Sequence, residues 1–211
     1  MTKYLGVLVV SCLLGACSGT DASDDGSGAA GAASSGEPGD GSGVKPPAQG
    51  AVVFALQGVS PAPAGKVCPV AAGTSAIPSA SETETLDADT YLHKVIDGEG
   101  GVAFSCKVIG TSSYSFDATI RQAGRGLQIK NGMLGADGKG TAAITVTDSQ
   151  RLSTSLTSTS CVIDADHSSG MGLQVKAGSM WARFDCAAVE AAPSDSCKAS
   201  GYLVLENCDQ K

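Results

Sequence analysis

Beyond residue 51, apolar and polar positions alternate with a period of two through most of the chain. That pattern predicts β-strands whose successive side chains face opposite ways. In Ser113–Arg121, Tyr114, Phe116, Ala118 and Ile120 share one phase, and Ser113, Ser115, Asp117, Thr119 and Arg121 share the other. Val102, Phe104, Cys106 and Val108 alternate in the same way with Ala103, Ser105 and Lys107. Across Thr141–Thr147 the apolar phase is Ala142, Ile144 and Val146, set against a threonine-rich phase. Leu127/Ile129, Leu173/Val175 and Met180/Ala182/Phe184/Cys186 repeat the pattern. Val52–Leu56 and Tyr202–Leu205 are apolar on both phases and read as buried strands near the two ends of the domain.

Turn residues fall between these runs. Gly98-Glu99-Gly100-Gly101 is expected to close a hairpin between strands at 91–97 and 102–109. Asp137-Gly138 is a pair that takes up positive-φ turns at low cost. Asp148-Ser149-Gln150 separates two further strand-like runs. The best helical stretch, Ser81–Thr90, has Leu86 as its one apolar anchor and predicts no more than a short helical turn. The expected fold is therefore all-β, an antiparallel sandwich or partly open barrel of about eight to ten strands.

The first fifty residues are of another kind. Lys3 is followed by the apolar run Tyr4–Leu14, which is too short to span a bilayer but suits the core of a signal peptide. The run ends in Leu14-Gly15-Ala16-Cys17. This tetrapeptide resembles the lipobox of bacterial lipoproteins, in which small residues admit the peptidase and the Cys thiol accepts a diacylglycerol. The resemblance implies removal of 1–16, lipid on Cys17 and acylation of the new amino terminus. Several acyl chains anchor stably where one alone is marginal. Ser18 follows Cys17 in place of an Asp, which favours the outer membrane over retention at the inner one. Residues 18–50 contain 9 Gly, 6 Ser and 6 Ala, with Val44 as the one large aliphatic side chain. Such a stretch buries too little apolar surface to offset ordering entropy, so it reads as a disordered spacer with a reach of roughly 30 Å. The expected organisation is a signal peptide at 1–16, lipidated Cys17 and linker at 17–50, and a β domain at 51–211. That outline is similar to many exported bacterial lipoproteins, and it implies no catalytic residues.

Charge and composition narrow the partners. The chain carries a net charge of −7, and 4% of its residues are aromatic. A nucleic-acid binder is excluded on that balance, since phosphate neutralisation needs clustered Lys and Arg. The domain itself has 12 Lys and Arg against 16 Asp and Glu, so much of the acidity belongs to the linker.

Cys12 would leave with the signal peptide and Cys17 would carry lipid. Cys68, Cys106, Cys161, Cys186, Cys197 and Cys208 remain, an even set that reads in an exported domain as three disulfides with fifteen possible pairings. Cys106 and Cys186 sit on the apolar phase of their strands and are expected to be buried.

Chemistry-bearing clusters are sparse. Asp164-Ala165-Asp166-His167 offers weak metal-ligand candidates in Asp164, Asp166 and His167, and Asp87, Asp89 and His93 form a similar group without a regular Ca²⁺-loop spacing. A hydrolase would have to use Ser with His93 or His167, but no G-x-S-x-G elbow is present. Gly124-Arg125-Gly126 and Gly138-Lys139-Gly140 lack the spacing and following helix of a phosphate loop. Trp181 lies opposite in phase to Met180 and Phe184 and beside Arg183; facing outward, it would offer a binding platform unless another layer covers it. The expected role is structural or binding, without a cofactor. The expected partners are the membrane, through the lipid on Cys17, and an envelope protein or glycan. An envelope hydrolase or metal-dependent enzyme built on His93 or His167 is the alternative.

Overall fold

The computed structural model describes residues 45–61, 64–79, 94–165, 174–191 and 194–211. Val44–Lys211 forms one compact unit. Among the described residues the fold is all-β and antiparallel, with nine strands on one continuous sheet path and two short strands beside it. The strands are β1 (Gln49–Gly58), β2 (Gly73–Ile77), β3 (Val95–Ile96), β4 (Ala103–Gly110), β5 (Tyr114–Gln122), β6 (Arg125–Leu134), β7 (Lys139–Asp148), β8 (Leu156–Asp164), β9 (Gln174–Lys176), β10 (Ser179–Glu190) and β11 (Ser196–Glu206). Their order is β2-β1-β11-β10-β8-β7-β6-β5-β4, with β3 paired to β1 and β9 to β10. β4 to β8 form a meander, and the sheet curls so that both halves share one core. It is thus a partly open barrel made from a single sheet.

The alternation sorts the side chains as the pattern requires. Phe104, Cys106 and Val108 of β4, Phe116, Ala118 and Ile120 of β5, and Ala142, Ile144 and Val146 of β7 are buried, while their neighbours face out. Met180, Ala182, Phe184 and Cys186 line the inner face of β10. All four Phe of the chain are buried, and glycine makes room for two of them. A Cβ at Gly132 would stand 2.5 Å from the Phe116 ring, and one at Gly50 would stand 2.5 Å from that of Phe104. Each ring stabilises the core by about 1.5–3 kcal/mol, so any side chain at these two positions displaces a major contributor.

The hairpin expected at Gly98–Gly101 does not form in that way. A short 3₁₀ turn, Glu99–Gly101, follows Gly98, and Val95–Ile96 pairs with Gln49–Gly50 of β1 instead of with β4. The Asp97 carboxylate accepts the Phe104 N–H at 2.7 Å, occupying a backbone group of β4 that a neighbouring strand would otherwise have used. The β6–β7 turn is built as expected: Gly138 has φ 73°, and the Asp137 carboxylate accepts the Lys139 N–H at 3.0 Å. Ser81–Thr90 lies outside the described residues.

Six cysteines pair as Cys68–Cys197, Cys106–Cys208 and Cys161–Cys186. Cys106 and Cys186 are buried, as their phase required. The bridges span 129, 102 and 25 residues of sequence. In the chain-entropy model they contribute roughly 3.5–5 kcal/mol each by restricting the unfolded chain. β1 begins at Gln49, and the chain before it is already bonded to the domain. Lys45 Nζ lies 2.6 Å from the Asp209 carboxylate, and Asn207 Nδ2 donates to the Pro47 carbonyl at 3.1 Å.

Candidate functional site

Two outward faces carry the candidate chemistry. The first lies over β1, β11 and β10. Met180 and Phe184 are buried and Trp181 points to the other side, half-buried. Its indole N–H donates to Glu206 Oε1 at 3.1 Å, and Lys94 Nζ stands 5.6 Å from the ring centroid. Lys94 also bridges Glu206 at 2.9 Å, and Gln49 Nε2 donates to the same carboxylate at 2.6 Å. Burial pushes the Glu206 carboxyl up. Hydrogen bonds from Lys94, Gln49 and Trp181, with the Lys94 charge, outweigh burial and hold it below its ordinary value. Trp181 is therefore one member of a closed four-residue knot, with its N–H and one ring face occupied.

Arg183 pairs with Asp164 across β10 and β8 at 3.1 Å, so the one described member of the Asp164 cluster is held in an ion pair. Asp166, His167 and His93 lie outside the described residues, as do Asp87, Asp89 and Cys17. Among the described residues, no group of three or more His, Cys, Asp or Glu is placed to hold a metal ion.

The second face is the outer surface of the meander, and the strand register arranges it in rows. Ala103, Arg121, Gly126 and Thr147 stand side by side on β4, β5, β6 and β7, and the Thr147 hydroxyl lies 2.8 Å from that of Ser155. The next row is Ser105, Thr119, Gln128, Thr145 and Thr157, with the last two hydroxyls 3.0 Å apart. Below it Lys107 stands opposite Asp117 in the strand register, and Lys130 stands on β6.

A trough of about 430 Å³ occupies the first row. Arg121, Gln122, Arg125, Gly126, Thr147 and Ser155 line it, and no carboxylate among the described residues does. Arg121 is exposed and has no hydrogen-bond or ion-pair partner among the described residues. Its chain lies down over Gly126, where a Cβ would come 3.1 Å from Arg121 Cγ. Arg125 is held by neutral groups, donating to Ser79 Oγ at 3.1 Å and to Gln150 Oε1 at 2.7 Å. A second hollow of about 400 Å³ adjoins along the sheet and is lined by Ser105, Lys107, Asp117, Thr119, Gln128 and Lys130. Both of its acids are engaged. Asp117 accepts the Asn131 N–H at 2.8 Å, and Asp209, at its margin, is bridged to Lys45.

Sequence reading found the residues of this face but not the site. In the sequence Arg121 is one polar position in an alternating strand, and Gly124-Arg125-Gly126 lacks the spacing of a phosphate loop. In the fold, that tripeptide supplies part of the trough lining, while the Arg125 guanidinium turns away to Ser79 and Gln150. No protein-family model, no curated protein and no solved structure matches this chain.

Proposed function

We propose that this chain is a lipid-anchored protein of the bacterial envelope, exported and favoured for the outer membrane, whose β domain has a binding or structural role. The observation that carries the reading is the combination of Leu14-Gly15-Ala16-Cys17 after an apolar run with a domain closed by three disulfides. Disulfides persist in oxidising compartments, and a lipobox-like sequence leads to one. The binding role is supported by Arg121, which is exposed and bonded to no described residue, and by the trough beside it, whose described lining holds no carboxylate. Metabolic labelling of expressing cells with a palmitate analogue tests the anchor. Label and membrane association are expected for the native chain and expected to vanish in Cys17→Ala. Labelling that survives this substitution overturns the assignment of Cys17.

A further inference from the structure

We propose that the Cys68–Cys197 bridge is an exchangeable disulfide, opened at Cys68 by a protein dithiol that docks on the valine-lined hollow beside it. The inference goes beyond the binding role proposed above. It shares with that reading the export to an oxidising compartment, and it does not rest on lipid at Cys17.

Access comes first. Of the six bridged cysteines five are buried, with Cys106 8% exposed and Cys161, Cys186, Cys197 and Cys208 at 0%. Cys68 is half-buried. It lines an open hollow of about 230 Å³ together with Gly58, Val59, Lys66, Val67 and Val70. Cys106 also borders a hollow, on the outer face of the meander, but its side chain is on the inward phase of β4. A thiolate must reach a disulfide sulfur in line with the S–S bond, so exposed bridges exchange far more readily than buried ones. Each of the three bridges has a buried cysteine to act as leaving group, and access to the attacked sulfur is what separates them.

Tethering is the second argument. The segment that carries Cys68 connects β1 to β2. The Val67 N–H donates to the Ser194 carbonyl at 2.8 Å, and the Val67 carbonyl accepts the Ser196 N–H at 3.1 Å. Lys66 bridges Glu190, and Arg151 holds the Ala71 carbonyl. β1 and β11 are paired from Gln49↔Glu206 to Gly58↔Cys197 by their own ladder. Opening Cys68–Cys197 therefore frees a local segment, whereas reaching the other two requires the strap over β4 or the β8–β10 pairing to give way.

The rim defines the partner. Val67 is 69% exposed, with Val59 and Val70 half-buried beside it. Docking there removes valine surface from water, which favours a thiol set in an apolar protein surface over a small charged thiol. The exchange runs in two balanced steps. The partner's thiolate attacks Cys68 Sγ, the Cys68–Cys197 bond breaks, and Cys197 leaves as a thiolate that takes a proton. The partner's second thiol gives up its proton, attacks the partner's sulfur in the mixed disulfide and releases Cys68 in the same way. Two electrons pass: the partner becomes a disulfide and the bridge becomes two thiols.

The test blocks any free thiol of the full chain with N-ethylmaleimide and then adds dithiothreitol without denaturant. Samples alkylated at intervals are read by peptide mass spectrometry. Cys68 and Cys197 should open about tenfold or more faster than the other four, which need a wider opening. Another bridge opening first, or all three opening together, overturns the proposal. Thioredoxin whose second active-site Cys is replaced by Ser should be trapped on Cys68; capture on another cysteine, or no capture, overturns it. Val67→Ser, at an exposed position, should slow this capture severalfold and leave the dithiothreitol rate unchanged. Equal capture by both chains overturns docking on the hollow. A Cβ at Gly58 meets nothing within 4 Å, so Gly58→Leu crowds the hollow without a clash and should slow both reagents. Unchanged rates in that variant overturn the hollow as the route. Matched melting temperatures show that each variant is folded. None of these readouts involves lipid, so a failed anchor and a failed exchange give different results.

Discussion

The two edges of the sheet, β4 and β2, face the same hazard and meet it differently. Each would present a row of unpaired backbone groups, a template for pairing with another chain. At β4 the remedy is mostly backbone. Residues 208–209 run beside it, with Val108 N–H donating to the Asp209 carbonyl at 2.9 Å and Asp209 N–H to the Cys106 carbonyl at 3.0 Å. The Val108 carbonyl accepts Gly178 N–H at 2.9 Å, and the Cys106–Cys208 disulfide fastens the strap covalently. At β2 the remedy is side chains from the β7–β8 turn. Arg151 donates to the Ala71 carbonyl at 2.6 Å and to the Gly73 carbonyl at 3.3 Å, while buried Asp148 accepts Ser75 Oγ at 2.7 Å. One edge is closed by a piece of chain that functions as a further strand, the other by two charged residues standing in for one. A strap can be released whole. A side-chain clasp fails one bond at a time.

Substitutions can break that comparison. The largest effect is expected from Cys106→Ser with Cys208→Ser. It removes a bridge across 102 residues, at a cost of about 3–5 kcal/mol, and frees the strap. Chemical denaturation should report the lost stability, and size-exclusion chromatography should report self-association through β4. A monomer with intact stability would show that the strap is not what guards this edge. Asp148→Ala should cost about 3 kcal/mol, because it strands a buried Ser75 hydroxyl and unpairs Arg151, yet the protein should stay monomeric. Arg151→Ala should cost about 2–3 kcal/mol, since the carbonyls it releases lie nearer solvent but the buried Asp148 carboxylate loses its cation, keeping only its hydrogen bonds.

The smallest effect concerns Glu206, away from both edges. Its carboxyl is held below its ordinary value of 4.5, so the stabilisation is fully present above that pH and is lost as pH falls through the lower folded value. Melting temperature followed from pH 7 downward should fall less steeply below about pH 4.5 in Glu206→Gln than in the native chain. Parallel curves would remove Glu206 from the account of acid sensitivity.

Much of this fold was legible because a half-buried strand writes its burial into the sequence. Phe116 and Ile120 face in and Asp117 and Arg121 face out for a reason visible in nine consecutive residues. The Asp137-Gly138 turn was equally local. Partners distant in sequence were not legible. Alternation says nothing about which strand Val95–Ile96 joins, nor which cysteine Cys106 meets, and both depend on how the sheet curls. Asp148 did leave a signal. It continues the inward phase of Ala142, Ile144 and Val146, and a carboxylate on that phase is unusual enough to need a buried partner. The Arg121 trough left none, because its neighbours come from four strands and each looks solvated by itself. Trp181 was legible in phase alone; Lys94, which caps its ring, is distant in sequence.

The placement of the Cys68–Cys197 bridge gives the domain a mechanical property. Traction on the chain at Lys45 would first load the rungs that join β1 to β11 and β2. Should those rungs yield, the segment up to Cys68 can lengthen to roughly 80 Å before a covalent bond stops it. β2 and β3, paired only to β1, would be released with it, while β4 to β11 kept their own rungs and the leading segment acted as a spring of fixed travel.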